Sequence, residues 1–256
     1  MQIGILGTVS LTVNGRQHEI RAGKVRTLVA VLALEAGQAI SHEELAAELW
    51  SGRPLRNARN ALQAHASRLR RLLDGAGHTP LRSVRNGYLL EIPQDGVDGN
   101  RFLDLATQGA AALHDRPAHA AELLTAALRL WRGPALLDAG EGLRCQAAAA
   151  LFDERRLAAQ EDLISARLAV GDERQAIPEL RRLVAQHPLR ERLSDQLMLA
   201  LYRSGRQGEA LEQFHHTRRF LDQELGLSPG LPLQRRYAAI LAHDPELTLP
   251  ETHAAS

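Results

Sequence analysis

Apolar and polar positions alternate loosely over the first 20 residues, with Ile3, Ile5, Val9, Leu11, Val13 and Ile20 as the apolar set. Asn14-Gly15 falls between two such runs. That dipeptide tolerates the left-handed backbone of a tight hairpin turn, so a small antiparallel sheet is expected. The period then lengthens. Over Lys24–Glu35, the residues Val25, Leu28, Val29 and Leu32 share one helical face, and Gly37 ends the helix. Ser41 followed by Glu44 is a capping box, which predicts a short helix reaching Trp50. A third helix is expected from Pro54 to about Asp74-Gly75. Leu81–Arg85 and Tyr88–Ile92 flank Asn86-Gly87, which reads as the turn of a second hairpin. Sheet, three helices and hairpin over residues 1–95 make the layout of a winged helix-turn-helix domain.

From about Asp98 the alternating signals vanish and Ala and Leu dominate. Helices are predicted near 100–114, 117–131, 143–170, 172–186, 190–204, 206–224 and 231–243. Gly171-x4-Ala176-Ile177 recurs as Gly205-x4-Ala210-Leu211 at an offset of 34 residues, the tetratricopeptide period. On that frame Ala176 and Ala210 let paired helices approach, Leu180 and Phe214 fill the gap one turn later, and Pro188 closes the first repeat. The expected fold class is mainly α with a small β component. A winged helix over 1–95 is followed by an all-α tetratricopeptide-like domain over 96–245 and a flexible tail over 246–256.

The third helix carries the candidate chemistry. At 100° per residue, Leu55, Ala58, Leu62, Ala66, Leu69 and Leu73 fall within roughly 40° of one another and form the core stripe. The opposite face collects Arg56, Asn57, Asn60, Gln63, Ala64, Ser67, Arg68 and Arg71, with no acid and no large apolar group. Asn and Gln pair bidentately with adenine and Arg with guanine, while Ala64 is small enough for close approach. Arg59 and Arg70 lie on the flanks, where phosphates run beside a groove. A solvated helix face is the bland alternative, but such faces usually mix charge signs. At the hairpin, Arg82, Arg85 and Asn86 are the candidate wing contacts, since an Arg on a narrow protrusion can enter the minor groove.

Charge sharpens this picture. The whole chain has a formal net charge of +1, yet Arg53–Arg85 holds eight arginines against one acid, Asp74. That local excess is a footprint for a polyanion. Only Trp50 and Tyr88 are aromatic within residues 1–95, which leaves no stacking platform for single strands. A lone Cys145 excludes a disulfide framework and a Cys-based zinc site and fits a reducing compartment, and with the DNA-contacting face a cytoplasmic, nucleoid-associated location is expected. The longest apolar run, Leu28–Leu34, is far short of the ~18 residues of a membrane span. His42-Glu43-Glu44 lacks the second histidine of a zinc helix, and the adjacent His215 and His216 diverge by about 100° on a helix. No phosphate-binding or dinucleotide-binding glycine loop is present. Hence no enzyme activity, no cofactor and no metal are expected.

Three sets of residues carry a resemblance. Glu44 through Trp50, Ala61-Leu62-Gln63 with Ser67–Leu73, and Arg85-Asn86-Gly87-Tyr88 resemble the winged helix of the Streptomyces antibiotic regulatory protein family, itself similar to OmpR-type response regulators. Ala127-Leu128-x-Leu130-Trp131-Arg132-Gly133, Pro188–Leu193, Ala200–Arg206 and Glu224-Leu225-Gly226-Leu227-x-Pro229 resemble that family's bacterial transcriptional activation domain. The resemblance implies an activator of a biosynthetic gene cluster. Such a protein binds direct repeats near a promoter −35 element as side-by-side pairs and recruits RNA polymerase through sigma factor and other subunits. It also implies that Asn60, Gln63, Ala64, Ser67 and Arg68 enter the major groove, with Arg71 near phosphate. Related winged helices place a basic residue directly after the hairpin Tyr; here Leu89 stands there, so minor-groove reading would fall to Arg85. A helical-repeat adaptor and a ligand-gated repressor remain open as other readings.

Overall fold

The computed structural model describes residues 1–51, 56–73 and 80–248. Two compact units divide the chain. The first comprises 1–107 with 125–159, and the second 108–124 with 160–256.

In the first unit, β1 (Gln2–Gly4), β2 (Ser10–Val13) and β3 (Arg16–His18) form an antiparallel meander. Asn14 (φ 50°) and Gly15 (φ 74°) make the β2–β3 turn, both left-handed as a tight hairpin requires. Helix α1 (Gly23–Leu34) follows and is buried on nearly all sides. Its neighbours α2 (His42–Trp50), α3 (Ala58–Leu73) and the last strand of the second sheet enclose it, so its continuous apolar run suits a central helix. Gly37 (φ 81°) lies just past its end.

The second sheet has the order β4 (Ala39–Ser41), β6 (Gly87–Leu90), β5 (Leu81–Val84). Strand β4, three residues long and directly ahead of α2, carries no period of its own and is a finding of the structure. The second hairpin differs from the expectation. Val84 pairs with Gly87, so the two-residue loop is Arg85-Asn86, and Gly87 is the first residue of β6. None of the three has positive φ. Gly87 is needed for a different reason: it pairs with Ser41 across β4, and a Cβ there would overlap the Ile40 carbonyl oxygen.

Beyond the hairpin lie α4 (Asp98–Ala112), α5 (Pro117–Leu128), α6 (Leu143–Ala169), α7 (Glu173–Gln186), α8 (Glu191–Arg203), α9 (Gln207–Leu225) and α10 (Leu231–Leu241). Each lies within a few residues of its predicted span. The start of α4 and the 132–138 segment belong to the first unit and close its first sheet. Asp98 accepts the amides of Ile5 (2.6 Å) and Leu6 (3.3 Å). Leu6 and Ile5 carbonyls accept from Arg132 and Leu136, each at 2.8 Å. Phe102 is fully buried and meets Trp131 edge to face at 5.3 Å.

In the second unit the 34-residue repeat is visible in the backbone. Gly171 (φ 83°) and Gly205 (φ 74°) take the same left-handed conformation. Asp172 and Arg206 then donate to the carbonyls of Arg167 and Leu201, five residues back in both cases. Ala176, Ala210 and Leu180 are fully buried, and Phe214 nearly so. Pro245–Leu247 forms a 3-10 turn with Leu247 buried, and the remainder of the expected tail, 249–256, lies outside the described residues.

Candidate nucleic-acid interface

Helix α3 buries Leu62, Ala66, Leu69 and Leu73 and half-buries Ala58, as the amphipathic pattern predicts. The expected start at Pro54, the stripe residue Leu55, Arg53 and the Asp74-Gly75 end lie outside the described residues. Arg56 and Asn57 occupy a turn ahead of the helix instead of its face. Asn57 provides the carbonyl that accepts from Ala61 at 3.1 Å, a position Asn favours because its short polar side chain suits a helix start.

On the outer side, Asn60, Gln63, Ala64, Ser67, Arg68 and Arg71 are all exposed. Their spacing of three and four residues keeps them in one stripe over three turns. Arg56, Arg59, Arg68, Arg71 and Arg85 make no hydrogen bond or ion pair among the described residues. The stripe therefore presents donors and positive charge with no internal acceptor, which is the property a phosphate-lined groove matches.

Arg70 departs from its expected role. Its guanidinium donates to Ser83 Oγ (2.8 Å) and the Leu81 carbonyl (3.4 Å), and lies 5.6 Å from the Tyr88 ring centroid. These contacts hold β5 and β6 against α3 and so join the helix to the wing. Arg82 pairs with Glu91 at 3.2 Å, with both side chains more than half exposed, a contact worth little to stability. Arg85 and Asn86 stand exposed at the wing tip, and the Asn86 carbonyl accepts from the His42 amide at 2.9 Å, tying the tip to the start of α2.

The base of α3 rests on α2. Trp50 and His65 lie with ring centroids 6.2 Å apart. Burial first, then Arg68 and Lys24, hold the His65 pKa below the usual histidine value, which favours its neutral form. Lys24 donates to the Leu49 carbonyl at the end of α2. At the other end, Ser41 Oγ accepts from the Glu44 amide (3.2 Å) while the Ser41 amide donates to Glu44 Oε2 (3.0 Å), the reciprocal box read from the sequence.

Sequence reasoning did not find Arg144. Its guanidinium donates to Glu35 (2.7 Å) and Glu44 (2.9 Å), and its amide donates to the buried Glu48 at 2.9 Å. The start of α6 is thereby fixed to α1 and α2. Three acids at 35, 44 and 48 are a weak signal, because their partner lies about 100 positions away. The Ser41 hydroxyl and amide, then Arg144, hold the Glu44 carboxyl below its usual range. A carboxyl with a lowered folded pKa stabilises above its unfolded pKa and loses that stabilisation as pH falls through the folded value. Glu44→Gln keeps the capping geometry and removes the charge. It is expected to cost under ~1 kcal/mol near neutral pH, since the side chain is half exposed, and the difference should vanish well below about pH 4. Urea denaturation of both proteins across that range checks it; a pH-independent difference would contradict the charge argument.

Comparison with known proteins bears on what this surface belongs to. Residues 97–241 match the family model described as bacterial transcriptional activator domain, and residues 19–90 match transcriptional regulatory protein, C terminal. The chain belongs to the Streptomyces antibiotic regulatory protein family. Members of that family are transcriptional activators, and the mainly helical fold with its winged-helix start agrees. The transcriptional regulator RedD of Streptomyces coelicolor is 57% identical over 98% of this chain and 73% of its own length. The regulatory protein DnrI of Streptomyces peucetius is 36% identical over 100% of this chain and 98% of its own. Among solved structures, Mycobacterium tuberculosis EmbR in complex with a low affinity phosphopeptide superposes with a TM-score of 0.90 at 33% identity. That match covers 95% of this chain and 65% of EmbR. Among the described residues no helix is long and apolar enough to cross a membrane, and no cluster of His, Cys, Asp and Glu could hold a metal ion.

Proposed function

We propose that this activator binds double-stranded promoter DNA sequence-specifically, with α3 in the major groove and the β5–β6 wing beside it. The observation that carries the reading is the acid-free outer stripe of α3, exposed, with Arg68 and Arg71 making no ion pair among the described residues. Asn60, Gln63 and Arg68 read base edges, Ala64 and Ser67 allow close approach, and Arg56, Asn57, Arg59 and Arg71 meet sugar-phosphate. Arg82, Arg85 and Asn86 form the wing contact. Two copies lie side by side on direct repeats near a −35 element, and the helical half contacts RNA polymerase with its sigma factor. The regulated genes form a secondary-metabolite cluster, as the family membership supports.

Footprinting on promoters of neighbouring genes, with and without polymerase, tests this directly; an absence of protected repeats would overturn it. Arg68→Ala is expected to weaken operator binding by about 1–3 kcal/mol and to relax base preference at one position. Arg71→Ala should weaken all sequences alike and lower the salt slope by about one unit. Gel-shift titrations at several salt concentrations separate the two. Intact operator affinity in Arg68→Ala would mean that α3 is oriented differently on the duplex.

A further inference from the structure

The outward face of the first sheet is polar. Thr12 stands between Gln2 and Gln17 across the three strands, and Ser10 stands opposite Gly4, while Ile3, Leu11 and Val13 point inward to the core. These outward residues floor a cleft of ≈ 370 Å³, walled by the segment from Asp95 to Arg101 and by Arg129–Arg132. Small-molecule sites begin at roughly that volume.

Charge inside the cleft is not balanced. Arg132 lies across Gly4, where a Cβ would overlap its guanidinium. It donates to the Thr8 carbonyl (3.1 Å), Ser10 Oγ (3.2 Å) and Asp98 (2.9 Å). A guanidinium carries five N–H groups, so part of its fork stays uncommitted and is held still. Asp98 is saturated by Arg132 and the Ile5 and Leu6 amides. Arg101 and Arg129 line the same cleft, exposed and without an ion-pair partner among the described residues. Asp95 is the remaining carboxylate of the lining.

We propose that this cleft binds a small organic oxyanion, a carboxylate or a phosphate monoester. The anchored Arg132 and the exposed Arg101 and Arg129 clasp the anionic group, and the Gln and Thr side chains of the sheet take the rest of the ligand. A fixed guanidinium flanked by two free ones suits an oxyanion, whose oxygens accept several N–H bonds at once. The site lies on the first sheet, and its lining shares no residue with α3 or the β5–β6 wing.

Isothermal titration of the full chain with 2-naphthoate, 2-naphthyl phosphate and the neutral 2-naphthamide tests the proposal. Either anion should bind saturably with one-to-one stoichiometry, and naphthamide at least roughly tenfold more weakly. The better of the two anions decides between carboxylate and phosphate. Arg101→Gln and Arg129→Gln should each weaken the anion roughly tenfold, leaving the ligand-free melting midpoint unchanged because both side chains are exposed. Asp95→Asn should strengthen it. Failure of both anions to bind at roughly millimolar concentration, equal affinity for naphthamide, or indifference to both arginine substitutions overturns the proposal.

Discussion

A fragment ending at residue 95 is expected to lose most of its folding stability, although its sequence covers every element of the winged helix. The reason is the segment Ile5–Val9. Its backbone amides at Ile5, Leu6 and Val9 donate to Asp98 and Asp138, and its carbonyls at Ile5, Leu6 and Gly7 accept from Leu136, Arg132 and Leu137. All of these partners lie beyond residue 95, and Ile5 and Leu6 are at most 1% exposed. At ~0.5–1.5 kcal/mol for each net hydrogen bond, six lost bonds amount to several kcal/mol. The newly exposed apolar side chains add to that loss. A domain of this size has only ~5–15 kcal/mol in total. A fragment ending at residue 159 keeps every partner and should melt cooperatively. Equal denaturation midpoints for the 1–95 fragment and the full chain would show that these bonds are dispensable. DNA-binding tests are therefore better made with full-chain variants than with the short fragment.

Gly87→Ala should have the largest effect of any single substitution at the wing, costing ~3 kcal/mol or more. The added methyl would meet backbone, not a flexible side chain: the Ile40 carbonyl and the Ser41 Cα lie in its path. Strand β4 must move away, which breaks its pairing with β6 at Ser41–Gly87 and disturbs the Ser41 capping box immediately after it. Thermal melting would report the destabilisation. Operator affinity should fall as well, since the wing turn is tied to His42 at the start of α2. If Gly87→Ala melts with the wild-type protein, the close approach of β4 must relax at little cost, and the wing is more adaptable than its geometry indicates.

The same residue shows how far the sequence could be read. Asn14-Gly15 and Asn86-Gly87 are the same dipeptide between apolar runs, and only the first is a turn of the expected kind. The first is set by local backbone preference. The second is set by a strand that is distant in sequence, as the Ile40–Tyr88 and Ser41–Gly87 pairings show, and no local pattern reports that. Helix α3 was legible because its stripe combines Leu at helical spacing with an opposite face free of acids, and both follow from one element alone. The 34-residue repeat was legible for a similar reason, since each turn is closed by its own carbonyls. Arg70 and Arg144 were not legible in their roles. Each is one arginine among many, and only the fold chooses Ser83 for one and Glu35 with Glu44 for the other.

Arg70 also affects how recognition would proceed in time. A wing hinged loosely to its helix must be arrested as the duplex arrives, and that loss of freedom subtracts from affinity. Here the guanidinium, its serine and carbonyl acceptors and the tyrosine ring already link α3 to the wing, so on the proposed reading the two would meet a duplex joined to one another. Association should then resemble a rigid key entering a lock, with little heat-capacity change from ordering the protein and with sequence preference expressed mainly in how slowly the complex comes apart.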